Sequence, residues 1–192
     1  MRRGVVVTGP PRSGTSLVAG LFAAHGVFFG RCKPADENNP RGYFEHPAIP
    51  RQGAKAPDWP LTWWRTLKRD GWNGASPWGA KHMATRWRWL LGLFPAVVVV
   101  TVRPEATIRE SLKRTGWHIA PDTVVRHFRK RLKRIYREAT CPVVLVSTPA
   151  LVAGDYTEIR RAFEVLGVPF DPAIAEAWID PSVWGRKAES KP

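Results

Sequence analysis

The segment from Gly9 to Ser16 has the residue types and spacing of a loop that binds phosphate. It reads GPPRSGTS, so two glycines stand five positions apart and a hydroxyl pair, Thr15 and Ser16, follows the second glycine. A glycine-rich turn of this kind lets successive backbone N–H groups converge on one anion, and a helix that begins directly after it adds the positive end of its dipole. The segment therefore predicts an anion site of the phosphate-loop type.

Two departures separate this loop from that of ordinary ATPases and kinases. Thr15 replaces the lysine that would reach the outer phosphates, and Arg12 offers a guanidinium fork instead. The strand predicted at 96–102 runs into Arg103, where a magnesium-dependent nucleotidase would carry an acid. A site without either group suits a donor whose transferred group carries less charge than a terminal phosphate. Sulfuryl transfer is favoured, and a small phosphate-loop kinase of nucleotides or metabolites is the enzymatic alternative.

Two strings of the chain resemble motifs of the sulfotransferases that use 3′-phosphoadenosine 5′-phosphosulfate (PAPS). PPRSGTS resembles the loop that binds the 5′-phosphosulfate, and VVVVTVRPEATIRESLKR resembles the segment that binds the 3′-phosphate. The second motif places an arginine at a strand end and a serine on the next helix, here Arg103 and Ser111, at the family spacing of eight residues. The resemblance implies a P-loop fold of the bacterial or phage type. It assigns donor binding to Pro11, Arg12, Ser13, Gly14, Thr15, Ser16, Arg103 and Ser111, with the backbone amides of 13–16 on the 5′-phosphosulfate.

A weaker match indicates the group that stabilises the leaving oxygen. The string WGAK resembles the strand end that presents an active-site lysine in this family, here Lys81. The resemblance implies that Lys81 and Arg12 neutralise the charge on the bridging oxygen. Bacterial members often continue with Asp-Pro after that lysine, whereas this chain continues with His82 and Met83.

The general base has two main candidates. The string NPRGYFE, residues 39–45, resembles a segment common in bacterial sulfotransferases and ends in Glu45, which we favour. His82 is the second candidate, because a neutral imidazole as well as a carboxylate can accept the proton of an acceptor. Asp36, Glu37 and His46 stay open as alternatives.

Alternating strands and helices are expected to position these groups. Short β-branched runs predict strands at 5–8, 96–102 and 142–146, and a further short strand is predicted at 78–82. Apolar spacings of three and four predict a helix at 16–25, Pro104 in a first turn predicts a helix at 104–114, and a helix capped by Gly167 is predicted at 157–166. This alternation predicts a single α/β domain over residues 1–179, with a P-loop-like parallel sheet and helices on both faces. Residues 28–60, the lid segment, are rich in proline and have no sustained period, which predicts a long loop. Residues 180–192 are predicted to be a basic tail.

The charge of the chain favours anionic ligands. It carries 30 Lys and Arg against 16 Asp and Glu, a formal net charge of +14. We expect the acceptor to be a small molecule, a glycan or a lipid, and the charge favours an anionic one. The run at 126–137 predicts an amphipathic helix with a solvated basic face. A basic nucleic-acid-binding module is the non-enzymatic alternative, although we do not expect nucleic acid, and a non-catalytic relative that keeps the nucleotide pocket is a third.

Neither a metal site nor a membrane span is predicted. The five histidines show no i, i+4 pair around a glutamate and no cysteine at zinc spacing. No apolar run approaches the roughly 18 residues that a membrane-spanning helix needs, and the first residues do not resemble a secretion signal. We therefore expect a cytoplasmic, metal-independent protein.

Overall fold

A parallel sheet of four strands lies at the centre of the computed structural model, which describes residues 3–37, 39–49, 59–83, 87–114, 116 and 120–180. The strands are β1 (Gly4–Thr8), β2 (Trp78–Lys81), β3 (Val97–Val102) and β4 (Val143–Ser147). The helices are α1 (Thr15–Ala24), α2 (Trp59–Arg69), α3 (Trp87–Leu91), α4 (Glu105–Arg114), α5 (Pro121–Glu138), α6 (Thr148–Val152), α7 (Thr157–Leu166) and α8 (Pro172–Trp178).

The strand order is β2-β1-β3-β4, and every pair is parallel. The chain goes from β1 to β2 on one side and returns past β1 to β3 on the other, so the order reverses at β1. In open α/β sheets, ligands bind at such a reversal, outside the carboxyl ends of the strands. The loop after β1 and the residues after β2, β3 and β4 all meet at that edge.

The sheet is covered on both faces because its strand residues alternate between two apolar clusters. Val5 and Val7 of β1 pack with the apolar residues of α1, α7 and α8, whereas Val6 packs with those of α2, α3 and α5 on the opposite face. Strands buried on both faces explain the continuous valine runs. The predicted fold class, a single α/β domain with helices on both faces, is confirmed.

The structure places the elements within one residue of most predicted boundaries. The helix predicted from Pro104 begins at Glu105, and the basic run at 126–137 lies inside α5. The described part of the lid segment contains isolated bridges but no strand or helix before α2, which begins at Trp59, inside the predicted stretch. Residues 50–58 and 181–192, and hence most of the predicted tail, lie outside the described residues.

None of the helices in the described ranges is both long enough and apolar enough to cross a bilayer.

Candidate active site

The loop between β1 and α1 packs tightly against the ends of two other strands. A Cβ on Gly9 would stand 2.2 Å from Thr101 Oγ1 of β3. Gly14 has a φ of 91°, and a Cβ there would stand 2.6 Å from Thr148 Cγ2, just after β4. Both motif glycines are therefore required by steric contact, and Gly14 also by its left-handed backbone. The loop thereby forms a cradle at the carboxyl edge of the sheet.

The N-terminus of α1 opens directly from this cradle. Gly14 occupies the cap position and offers no side chain to the first amides, so the N–H groups of the first turn, which have no partner within a helix, are available to an anion. Thr15 and Ser16 are the first residues of that turn.

Ser13 holds the loop together from inside. Its amide donates to Pro10 O at 3.3 Å, and its buried hydroxyl donates to the same oxygen at 2.7 Å and lies 2.6 Å from Thr101 Oγ1. The Ser13 amide, predicted from the resemblance to bind the 5′-phosphosulfate, is therefore engaged within the loop in this structure. The amides left to an anion lie nearer the start of α1.

Arg12 connects the loop to the helix that follows β3. Its Nε donates to Ser111 Oγ of α4 at 2.9 Å, and its carbonyl oxygen accepts a hydrogen bond from Arg103 Nη1 at 3.3 Å. Arg12 has a φ of 65°, in the left-handed region that non-glycine residues rarely adopt outside strained functional loops. The two predicted donor-binding motifs, about ninety residues apart in the chain, are thus joined by direct contacts.

Three guanidinium groups concentrate positive charge at this junction. Burial lowers the pKa of Arg12, and the charge of Arg114 lowers it further. Burial likewise lowers the pKa of Arg103, with Arg12 and Arg114 adding to the effect. Because arginine stays protonated at neutral pH, this mutual repulsion favours a bound anion. Arg114 had no predicted role, although it lies one helical turn after Ser111.

Lys81, at the end of β2, is 2% exposed and contacts two other candidate residues. Its Nζ donates to Glu45 Oε1 at 2.8 Å and to Ser16 Oγ at 3.3 Å. Burial lowers the pKa of the Lys81 ammonium, and the Glu45 carboxylate partly offsets that effect. The predicted lysine and the favoured base are therefore adjacent, at the first turn of α1.

The lid segment reaches the same turn through Asn39. Its Nδ2 donates to Ser16 Oγ at 3.0 Å and to Gly42 O at 2.6 Å, and Ser16 Oγ donates to Tyr43 O at 3.4 Å. Asn39 is the first residue of NPRGYFE and had no predicted role. Its position in that motif was the available signal.

Two of the alternative bases are engaged in other contacts. His46 Nε2 lies 2.7 Å from Asp70 Oδ2 in a buried pair, and its Nδ1 accepts from the Ala48 amide at 3.0 Å. Burial raises the pKa of Asp70, but hydrogen bonds from the Arg31 amide and His46 bring it below the usual value. His46 thus attaches the lid segment to the end of α2 through Nε2, while Nδ1 fixes the turn of the lid segment at Ala48.

Asp36 accepts from the Tyr43 hydroxyl at 2.8 Å and 2.9 Å. Glu37 is exposed on the lid segment. His82 directly follows Lys81; its ring is half-buried and its amide donates to Val7 O of β1 at 3.2 Å. Within the described ranges, no group of three or more His, Cys, Asp or Glu side chains could hold a metal ion.

Comparison with solved structures identifies proteins of the same architecture. The sulfotransferase domain of the Synechococcus PCC 7002 olefin synthase matches with a TM-score of 0.62 at 15% identity, covering 97% of this chain and 85% of that domain. The chain has the fold of a sulfotransferase domain.

Two further sulfotransferases show the same likeness. The sulfotransferase domain from the curacin biosynthetic pathway matches with a TM-score of 0.60 at 13% identity, covering 91% of this chain and 77% of that one. The sulfotransferase STF1 of Mycobacterium tuberculosis matches with a TM-score of 0.55 at 15% identity, covering 98% and 75%. No protein-family model matches the sequence, and no curated protein matches it.

Proposed function

We propose that this chain transfers the sulfuryl group of PAPS to a hydroxyl or an amine of an acceptor. The contact between Arg12 Nε and Ser111 Oγ carries the proposal, because it joins the loop after β1 to the helix after β3. PAPS bears anionic groups on both the 5′ and the 3′ side of one adenosine. A donor of that kind requires two neighbouring anion sites, and the junction supplies the cationic groups of both.

The residues present fit this donor. Glycine at positions 9 and 14 lets the loop pack directly against Thr101 and Thr148, where a Cβ would collide. The open first turn of α1 supplies amide donors, and Arg12 and Arg103 supply guanidinium groups that can bind phosphate by two parallel hydrogen bonds. The groups of this site that donate hydrogen bonds are N–H and hydroxyl groups, which suit phosphate and sulfonate oxygens.

Each residue then has a role in the proposed reaction. Arg103 and Ser111 bind the 3′-phosphate, and the amides of Thr15 and Ser16 bind the 5′-phosphosulfate. Lys81 and Arg12 neutralise the negative charge that develops on the bridging oxygen as the sulfur–oxygen bond breaks. PAPS supplies an activated sulfuryl group and leaves as adenosine 3′,5′-bisphosphate.

Glu45 takes the proton of the acceptor as the new bond to sulfur forms. Its carboxylate is held by Lys81 in the structure, 24% exposed, next to the first turn of α1. When Lys81 instead contacts the bridging oxygen, the carboxylate is released at the place where the acceptor must lose its proton. The proposed acceptor is a small molecule, a glycan or a lipid, and the net charge of +14 favours an anionic one.

Ligand-dependent thermal stability tests this proposal. Adenosine 3′,5′-bisphosphate, ATP and AMP are compared without magnesium; at 100 times its dissociation constant, the bisphosphate should stabilise the fold by about 2.7 kcal/mol. ATP should stabilise it weakly, because it offers no 3′-phosphate to Arg103 and Ser111. Equal stabilisation by ATP and the bisphosphate would contradict the donor assignment.

Turnover separates the remaining alternatives. Release of the bisphosphate from PAPS is followed with a panel of hydroxyl and amine acceptors, in buffer with EDTA. Transfer that continues in EDTA supports the proposal. Strict dependence on magnesium would favour the kinase, and tight bisphosphate binding without transfer to any acceptor would indicate a non-catalytic relative.

A further inference from the structure

The solvent face of α5 carries a continuous stripe of positive charge. Five basic residues recur at helical spacing and are all exposed, namely Arg126, Lys130, Lys133, Arg134 and Arg137. They lie opposite the apolar face that packs on the sheet through Phe128, Leu132 and Ile135. The stripe extends over about 17 Å along the helix axis.

Four of the five basic residues of the stripe lack a compensating acid. Asp122, at the start of α5, is paired with Arg109 at 2.6 Å, and Glu138, at its end, is paired with Arg137 and Arg88. Within the described residues, Arg126, Lys130, Lys133 and Arg134 form no ion pair. Like charges at i, i+4, such as Arg126 with Lys130 and Lys130 with Arg134, destabilise a helix. An anionic surface laid against the stripe would remove that repulsion.

An exposed aromatic side chain lies at the end of the molecule where α5 ends. Phe94 is 71% exposed in the turn between α3 and β3, with a φ of 52°. Val98 N, at the start of β3, donates to Pro142 O, just before β4, at 2.9 Å. Arg88 of α3 also reaches Glu138 at 3.6 Å. These contacts place the turn that holds Phe94 beside the end of α5.

We propose that the stripe and Phe94 together dock this protein on a bilayer that contains anionic phospholipids. Basic residues are attracted to the negative surface of such a bilayer, and an exposed phenylalanine inserts into its apolar boundary. The stripe lies on the solvent face of one helix and is open to a broad surface. A nucleic-acid strand, in contrast, is bound in grooves that combine cationic walls with stacking platforms. The inference is independent of the proposed sulfuryl transfer.

Vesicle co-sedimentation tests the stripe. Wild-type protein should bind vesicles of phosphatidylcholine and phosphatidylglycerol, should bind pure phosphatidylcholine vesicles weakly, and should dissociate as salt is added. Each basic residue near the surface contributes about fivefold in affinity, so replacing Arg126, Lys130, Lys133 and Arg134 by Gln should weaken binding roughly 10²- to 10³-fold.

The matched control removes the same charge elsewhere. Arg65, Lys68, Arg69 and Arg161 are exposed on α2 and α7, and their replacement by Gln lowers the net charge equally. This control should retain most of the wild-type affinity. Equal loss in the two quadruple variants would overturn the proposal, because binding would then depend on net charge alone.

Phe94 has its own test. Phe94→Ser should weaken vesicle binding roughly tenfold, as expected for loss of one buried aromatic side chain. Leu61→Ser, at a residue that is 49% exposed on α2, should leave it unchanged. Full retention of vesicle binding in Phe94→Ser would show that Phe94 is not part of the docking surface. Absence of vesicle binding by the wild type, with or without salt-sensitive RNA binding, would overturn the proposal as a whole.

Discussion

Lys81 Nζ donates to Glu45 Oε1 over 2.8 Å, where the lid segment passes over the end of β2. The ammonium is buried and the carboxylate is partly exposed, at 24%. The pair therefore holds the favoured base and the charge-neutralising lysine in one contact. The charge of the Glu45 carboxylate raises the Lys81 pKa.

Replacing Glu45 tests its role as the general base. In Glu45→Gln the amide keeps the shape of the side chain but cannot accept the proton, so turnover should fall roughly 10²- to 10⁴-fold. The affinity for adenosine 3′,5′-bisphosphate, measured by calorimetry, should change little. His82→Asn is the comparison variant. Full turnover in Glu45→Gln with a large loss in His82→Asn would assign the base to His82.

The pH dependence of donor capture should report the ionisation of Lys81. Burial lowers its pKa, so the free enzyme should lose this positive charge at a lower pH than the roughly 10.4 of an exposed lysine. We expect kcat/KM for PAPS to decrease on the alkaline side with an apparent pKa below that value. Lys81→Arg should shift this alkaline decrease to higher pH, since a guanidinium stays charged.

Glu45→Gln tests in a second way whether the alkaline decrease in kcat/KM reports Lys81. The Glu45 carboxylate raises the Lys81 pKa, so its removal should move the alkaline limb to lower pH. If the alkaline decrease in kcat/KM keeps the same apparent pKa in both Lys81→Arg and Glu45→Gln, it reports the ionisation of another group.

Arg103→Ala should weaken the binding of adenosine 3′,5′-bisphosphate more than the binding of AMP. Loss of a hydrogen bond to a charged group costs about 1.5–3 kcal/mol, so the affinity for adenosine 3′,5′-bisphosphate should fall by roughly that amount. AMP lacks the 3′-phosphate, and its affinity should hardly change. Arg109→Ala, on the same helix as Ser111, is the control, because Arg109 pairs with Asp122 and Glu105. Equal losses for both nucleotides would mean that Arg103 does not distinguish the 3′-phosphate.

Gly14→Ala should destabilise the fold through both backbone strain and a collision. A residue at a φ of 91° costs about 1–3 kcal/mol, and the new methyl group would meet Thr148 Cγ2 at 2.6 Å. Gly26→Ala carries a similar φ of 84°, but its Cβ would meet no atom within 4 Å, so it isolates the backbone cost. Urea unfolding should show a larger loss for Gly14→Ala. Thr148→Ser in the Gly14→Ala background should restore part of the difference, and no recovery would place the strain elsewhere.

Local pattern was enough to predict the four strands, the helices α1, α4, α5 and α7, and the turn between β1 and α1, whereas α2, α3, α6 and α8 were not predicted. The valine runs of β1 and β3 and the apolar spacing of α1 and α7 arise from the alternation and helical periods of neighbouring residues. The spacing of Gly9 and Gly14, and of Arg103 and Ser111, is also a local property. Because both motifs sit at strand ends, a parallel sheet brings them to one edge.

The contacts within the site depended on the order of the strands, which no local period encodes. Because β3 pairs directly with β1, Arg12 reaches Ser111, and because β2 pairs with the other side of β1, Lys81 reaches Ser16. The lid segment has no period, so its route past Lys81, and with it the Glu45 pair and the Asn39 contact, is determined by long-range packing. Arg114 joined the cationic cluster for the same reason, since the charge around a side chain is a sum over neighbours that only the folded chain brings together.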